Sequence, residues 1–376
     1  MSKLSITPHQ QSFATAESIK KRLINIGYRD EQQCAGTSIL VDNRIDHITV
    51  NSDEVEILPL QQALKQYPWV QDHVFGLIDP QANETIRQMT DTTLPPLGYF
   101  VHVKPGVSVT LPLQLFTVLE TPQARQYIHN LMIIGEDASV DVISGAVVPE
   151  SLRQGRHVSL SETYIGAGAS YRSVSVETWG KDMDVCNFSA SRLEKGARHL
   201  EVSIMVAEIK KHYDHSVVHL KENAVSSSSS VVFASRGTHR EMHSTCILAE
   251  SGAHAENITR MVADGGVIDN HNTLIGQAPN VNGYLGCDGL MLSEDGQINS
   301  TPTVTAQTAQ VNLSHEASIG MVGQDKLVYL MSSGMTEDEA RDLIVQGFLD
   351  LEHQHIPKGL RDMVKRMIDT AKSGSM

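Results

Sequence analysis

Basic residues are scarce in this chain: Lys and Arg number 30 against 44 Asp and Glu, a formal net charge of −14 over 376 residues. That balance excludes a broad phosphate-neutralising surface, so nucleic acid is not an expected partner. Cysteine is equally sparse. Cys34, Cys186, Cys246 and Cys287 contain no CxxC spacing, which excludes a disulfide framework and a self-contained four-cysteine zinc site and fits a reducing compartment. No apolar run reaches the roughly 18 residues of a membrane span, and MSKLSITPHQQSFATAESIKKRL lacks an apolar signal-peptide core. The expectation is a soluble cytoplasmic protein without a membrane partner. Also missing are GxxxxGK[ST], GxGxxG after a strand, GxSxG and HExxH. The chain is therefore not expected to hydrolyse ATP or to be an enzyme of those classes.

What is present falls into three regions. Residues 1–98 read as a small α/β region. Ser12 caps a segment with Phe13, Ile19, Leu23 and Ile24 at rough helical spacing before Gly27. Ile39 to Leu60 alternates apolar and polar residues around Asp-Asn and Asn-Ser turn signals, as a hairpin does. LQQALKQYPWVQDHVFGLI is helical, with Pro68 ending or bending it.

From Tyr99 the composition turns to β-branched and aromatic residues, and residues 99–322 read as short strands. Small-residue turns recur around Ala138, Ala169, Ala197, Ala224, Ala253 and Ala278, separated by 31, 28, 27, 29 and 25 residues. A recurring step of this length indicates stacked supersecondary units, none able to bury its apolar face alone. The fold class is mainly β, with a β-helix or β-solenoid core; a sandwich of regular hairpins is the alternative. The serine run 226–230 reads as a strand or turn with one wet face. Residues 323–376 are helical. Thr336 and Glu339 form a capping box ahead of Ala340, Leu343, Ile344, Gly347, Phe348 and Leu351. Pro357 breaks the pattern, and Leu360, Met363, Val364, Met367 and Ile368 then mark a second amphipathic helix.

Seventeen histidines draw attention, since neutral imidazole ligates borderline metals. His212, His215 and His219 fall in one segment, followed by His239 and His243. On a strand, His215 and His219 face one side and His212 the other, so the cluster reads either as ligands or as hydrogen-bonded polar residues of a solenoid face. Cys186 and Cys246 sit in alternating apolar contexts and read as buried small hydrophobes, whereas Cys34 sits in a polar, exposed loop. Cys287 stands 28 and 29 residues before His315 and Glu316, about one repeat. Stacked turns would bring a thiol near an imidazole and a carboxylate, a set suited to iron, iron-sulfur species or zinc. Three ligands leave a tetrahedral site incomplete; a symmetric dimer would supply the set again. The other reading is an ordinary buried cysteine.

Cys287-Asp288-Gly289-Leu290-Met291-Leu292, the Thr301-Pro302 turn, Ser314-His315-Glu316-Ala317-Ser318, Leu327-Val328-Tyr329-Leu330 and Gly334-Met335-Thr336-Glu337-Asp338-Glu339-Ala340 follow one another in order. They closely resemble the C-terminal half of the SufB/SufD family of iron-sulfur cluster assembly scaffolds. The resemblance implies a β-helix that pairs with a second copy or a SufD-like paralogue and docks an ABC-type ATPase, SufC, on its C-terminal helices. It implies transient iron-sulfur cluster binding and delivery to downstream apo iron-sulfur proteins. Carried over by position, Cys287 matches the interface cysteine of SufB-type members, and His315 and Glu316 match the HEA motif. The docking residues implied are Tyr329, Leu330, Glu339, Ala340, Leu343, Ile344 and Phe348. Because SufD-type members typically lack that cysteine, the chain resembles SufB more, with a SufD-like interaction subunit as the alternative. A β-helix enzyme acting on acidic polysaccharide is a further, architectural alternative, disfavoured by the acidic balance.

Overall fold

The computed structural model describes residues 17–92, 96–122 and 124–349. In chain order it begins with α1 (Glu17–Asn25), β1 (Gly36–Val41), β2 (Arg44–Val50), β3 (Val55–Pro59), α2 (Leu60–Gln66) and α3 (Glu84–Thr92). The strands β4 (Tyr99–Val103), β5 (Leu113–Val118), β6 (Arg125–Ile134), β7 (Ser139–Val147), β8 (Arg156–Ile165), β9 (Ser170–Thr178), β10 (Asp184–Leu193) and β11 (Arg198–Met205) follow. Then come β12 (Lys211–Leu220), β13 (Val225–Ser235), β14 (His239–Leu248), β15 (His254–Asp264), β16 (Val267–Gly276), β17 (Val281–Met291), β18 (Gln297–Ala306) and β19 (Val311–Met321). Two helices, α4 (Gln324–Ser332) and α5 (Glu337–Leu349), complete it.

Successive strands alternate between two sheets, so the chain coils as a β-solenoid. One sheet has ten strands in the order β19-β17-β15-β13-β11-β9-β7-β5-β1-β2, the other nine in the order β18-β16-β14-β12-β10-β8-β6-β4-β3. Pairing is parallel from β1 and β4 onward, while β2 and β3 close the N-terminal end antiparallel. The N-terminal strands are thus continuous with the core sheets rather than set apart from them. The hairpin read from Ile39 to Leu60 is β1 and β2, turning at Asp42 with φ 49°. Helix α2 stops before Pro68, as the lost N–H of proline requires.

The recurring turns have a physical basis. The residue before each buried alanine adopts a left-handed conformation: Asp137, Gly168, Gly196, Asn223 and Gly252 precede Ala138, Ala169, Ala197, Ala224 and Ala253. Glycine, Asn and Asp tolerate that conformation, and the alanine that follows fits against the next coil. At the last of these corners the motif is Asn280 (φ 59°) followed by Val281, which lies one register step from His254's neighbour Ala253. Ala278 is three residues out of phase, which corrects the 25-residue spacing read from the sequence.

Helices cover the sheets unequally. Ile19, Leu23 and Ile26 of α1 and Val345 and Leu349 of α5 pack on the outward Val174, Val202, Val231 and Val262 of the ten-stranded sheet. On the nine-stranded sheet, α2, α3 and the segment between them cover only the N-terminal half. Glu162 anchors that segment by accepting the N–H groups of Phe75, Leu77 and Ile78 at 2.7, 2.7 and 3.1 Å, while His129 Nε2 lies 2.7 Å from its other oxygen. The capping box at α5 is formed, Glu339 N–H donating to Thr336 Oγ1 and Thr336 N–H to Glu339 Oε2. Ser12, Phe13, Leu351 and the second helix read from Leu360 to Ile368 lie outside the described residues. Among those described, no helix is long and apolar enough to cross a membrane.

Candidate functional site

The C-terminal end of the solenoid leaves β18 and β19 with unpaired outer edges. On β17 the odd positions from Val281 to Gly289 point inward and are buried, Cys287 completely. The step from β17 to β19 is 30 residues: His315 lies opposite Leu285, Glu316 opposite Gly286 and Ala317 opposite Cys287. The spacing argument from one repeat is therefore offset by two residues. His315 is on the inward face of the last strand, exposed because no further turn covers it. Glu316 is on the outward face, where Tyr284 Oη donates to its Oε2 at 3.3 Å. Within one chain, then, the thiol and the carboxylate lie on opposite faces of the sheet, and the thiol and imidazole share a face.

Sequence reasoning did not single out the groups that surround the thiol. Asn270 and Asn272, inward on β16, direct their Nδ2 atoms to Cys287 Sγ at 3.5 and 3.4 Å. Asn272 also donates to Thr259 Oγ1, and Asn257 to Ser244 Oγ. These amides end a polar column inside the solenoid that runs back past Ser228 and Ser230 to Glu201 and Asp214, around a cavity of about 80 Å³. The wet face of the serine run is thus partly internal. Burial, with the nearby Glu177 and Glu201 carboxylates adding to it, pushes Asp214 up to about 8.

Further along, Glu177 accepts from Trp179 Nε1 and Asn187 Nδ2, each at 2.8 Å, and pairs with His212 Nε2 at 3.4 Å. Despite the opposing effect of burial, these partners hold Glu177 at about 2. Arg240, buried and lowered by desolvation to about 10, donates to the carbonyls of Ala207 and Phe233. His157 is pushed down to about 4 by burial. The strand geometry read for the histidines holds: His212 points inward, while His215 faces out beside His243, whose ring stacks on His271 at 4.6 Å. Among the described residues no group of three His, Cys, Asp or Glu is placed to hold a metal ion.

All four cysteines are free and buried. For Cys186 and Cys246 this is the apolar role read from sequence, and burial raises them to about 11 and about 12. Cys34 is a correction: it is not exposed but completely buried, raised by desolvation to about 11. Its polar flank misleads because its N–H caps a short helical turn on Glu31 and its carbonyl accepts Asn51 Nδ2, which draws the side chain inward.

The C-terminal helices present a mixed face. Tyr329 is 71% exposed and Leu343 43%, joined by Val328 at 56% and Met331 at 41%. Leu330 and Ile344 are half-buried. Ala340 is fully buried and Phe348 packs on the ten-stranded sheet, so both face the body of the protein; Glu339 is engaged in its cap. Val328 and Met331 carry the outward apolar surface that helical periodicity assigned to those residues. Arg341 Nη1 ties α5 to the Leu292 carbonyl, linking this surface to the turn after Cys287.

Fold and site together define a parallel β-solenoid with a buried thiol near its open terminal coils and an apolar helical face beside it. The sequence from 117 to 348 matches the family described as SUF system FeS cluster assembly, SufBD core domain. It is 30% identical over 354 residues to an iron-sulfur cluster assembly SufBD family protein of Archaeoglobus fulgidus, covering 94% of this chain and 95% of that one. Similar relatives occur in Methanothermobacter thermautotrophicus, 29% identical with 95% and 88% covered, and in Staphylococcus epidermidis, 23% identical with 96% and 79% covered. The chain belongs to the SufBD family of iron-sulfur cluster assembly proteins.

Proposed function

We propose that this protein is a SufB-like scaffold on which iron and sulfide are assembled, and that Cys287 is the residue that holds them. The observation that carries this reading is the cysteine's place: one coil from the free edges of both sheets, in a family defined by cluster assembly. An 11-residue strand with an unpaired edge is a template for another chain. Edge pairing of a second copy would bring a second His315 and Glu316 to the terminal coils and complete a ligand set that one chain leaves open. Cys287 takes up sulfide or iron, Glu316 supplies a hard, labile ligand, and His315 ligates or orients a neighbour. Labile ligation suits a scaffold that must release its cargo. The exposed Tyr329, Val328, Met331 and Leu343 receive the ABC-type ATPase, whose closure strains α4 and α5 and, through Arg341, the coil behind the thiol.

A second reading, a SufD-like subunit that binds the ATPase without a cluster of its own, is favoured by one observation: Cys287 and Glu316 do not face each other. Anaerobic co-purification with the ATPase, followed by a mass measurement of the assembly with and without a second family member, separates them. The scaffold reading expects two copies of this chain with bound iron and sulfide. A single copy that assembles only with the second family member, and carries no iron alone, overturns it.

A further inference from the structure

The corner opposite the alanine turns, where each coil passes from the ten- to the nine-stranded sheet, gathers positive charge in an acidic protein. An open groove of about 650 Å³ there is lined by Arg125, Arg156, Lys181, Lys210, Asp182 and Gly237, among others. Four cations face one carboxylate, and that carboxylate is already bridged to Arg153 at 3.3 Å. Arg125 and Arg156 stand directly opposite each other on β6 and β8. Like charges in that position repel across a ladder, and no carboxylate pairs with either among the described residues. Asp184, the other register neighbour of Arg156, makes no ion pair with it. Most telling, Arg156 Nε is buried and has no hydrogen-bond partner among the described residues. A desolvated guanidinium donor is costly unless an acceptor meets it, and phosphate oxygens match its planar fork. Over Gly237 (φ 87°) the groove is open, since a β-carbon there would meet nothing within 4 Å.

We propose that this groove binds the phosphate groups of a small molecule that carries a diphosphate. The arginines chelate phosphoryl oxygens and Lys181 and Lys210 add point charge, a local counterpart to a surface that elsewhere repels anions. Its volume falls within the range of small-ligand sites and leaves room for a nucleoside beside the phosphates. The groove lies at the corners before β6, β8 and β12, several coils from Cys287, so the inference does not depend on the scaffold reading.

The test is isothermal titration of the full-length protein with inorganic diphosphate and, separately, with ADP, at low and at moderate salt. Saturable binding that weakens with salt is expected for both. Tighter binding of ADP would identify a nucleotide as the ligand, and equal binding would assign recognition to the phosphates. Arg125→Gln and Lys210→Gln, both at exposed positions, should each weaken binding about tenfold while leaving the thermal midpoint unchanged. Lys104→Gln, an exposed cation outside the groove, should leave it unaltered. No saturable binding of either compound up to about 1 mM, or equal weakening by Lys104→Gln, would overturn the proposal.

Discussion

Burial of all four thiols makes their order of chemical labelling a sensitive probe of where the solenoid opens. Cys287 is covered by the last coil, whose outer strand β19 is mostly solvated and exposes Ile319 at 43% and Met321 at 49%. Opening it breaks one parallel ladder, from Val281–Val311 to Met291–Met321, and uncovers little apolar area. Such terminal opening belongs at the low end of local stability, about 2–4 kcal/mol, against about 5–15 kcal/mol for global unfolding. At about 1.4 kcal/mol per decade, Cys287 should be alkylated roughly 30- to 1000-fold more slowly than an unfolded thiol. Cys246 lies in the interior core on β14, with two further coils between it and the free end, and should be slower than an unfolded thiol by more than about 10⁴-fold. The assay is a time course with iodoacetamide under native conditions, read by mass spectrometry at each cysteine. Labelling of Cys246 or Cys34 together with or ahead of Cys287 would refute the idea that the terminal coil is the route to the thiol.

Other consequences concern the frame that holds the site. Arg240→Met leaves two buried carbonyls and His212 without their donor and should cost about 3–5 kcal/mol in urea unfolding at an unchanged m-value. Thr336→Ala removes the side-chain acceptor at the start of α5 and should cost about 1 kcal/mol, seen as a lower thermal midpoint. Stability should respond to pH in two opposed ways. His157, held down to about 4, and His199 and His212, also lowered by burial, contribute stability that is complete above about 6.5 and is lost as pH falls toward 4. Asp214, raised to about 8, contributes stability present below the unfolded carboxyl range and lost as pH rises through 8. The advantage of Asp214→Asn should therefore grow from near zero at about pH 4 to about 1–3 kcal/mol at about pH 8, discounted for water in the column; a gain that shrinks with rising pH would contradict this.

Much of the fold is legible because it is written locally. A left-handed Gly, Asn or Asp followed by Ala marks one corner of each coil, and the spacing of those pairs discloses the solenoid. The same local character explains the slip at Ala278, where Asn280-Val281 replaces the expected pair and a nearby alanine catches the eye. Other features depend on pairing across coils, which leaves little local trace. The parallel alignment of β1 with β5, separated by some 70 residues, ties the N-terminal region into the core. The inward direction of Ser228 and Ser230 depends on which face of β13 the neighbouring coils claim. At the site, sequence located Cys287, His315 and Glu316, yet a 30-residue last step in place of 28 shifts the pairing by two and sends the carboxylate outward. Asn270 and Asn272 escaped notice because amides carry no metal-ligand signature; their tell was their spacing of two on a strand one coil before the thiol.

The most direct test of the account is anaerobic reconstitution of the protein with iron and sulfide in the presence of its ATPase, comparing the parent with Cys287→Ser. Iron and sulfide are quantified and the visible and Mössbauer spectra recorded. The account predicts that the parent acquires iron, sulfide and a cluster spectrum that Cys287→Ser, folded and still bound to the ATPase, does not. An equal yield of cluster from the serine variant would contradict it.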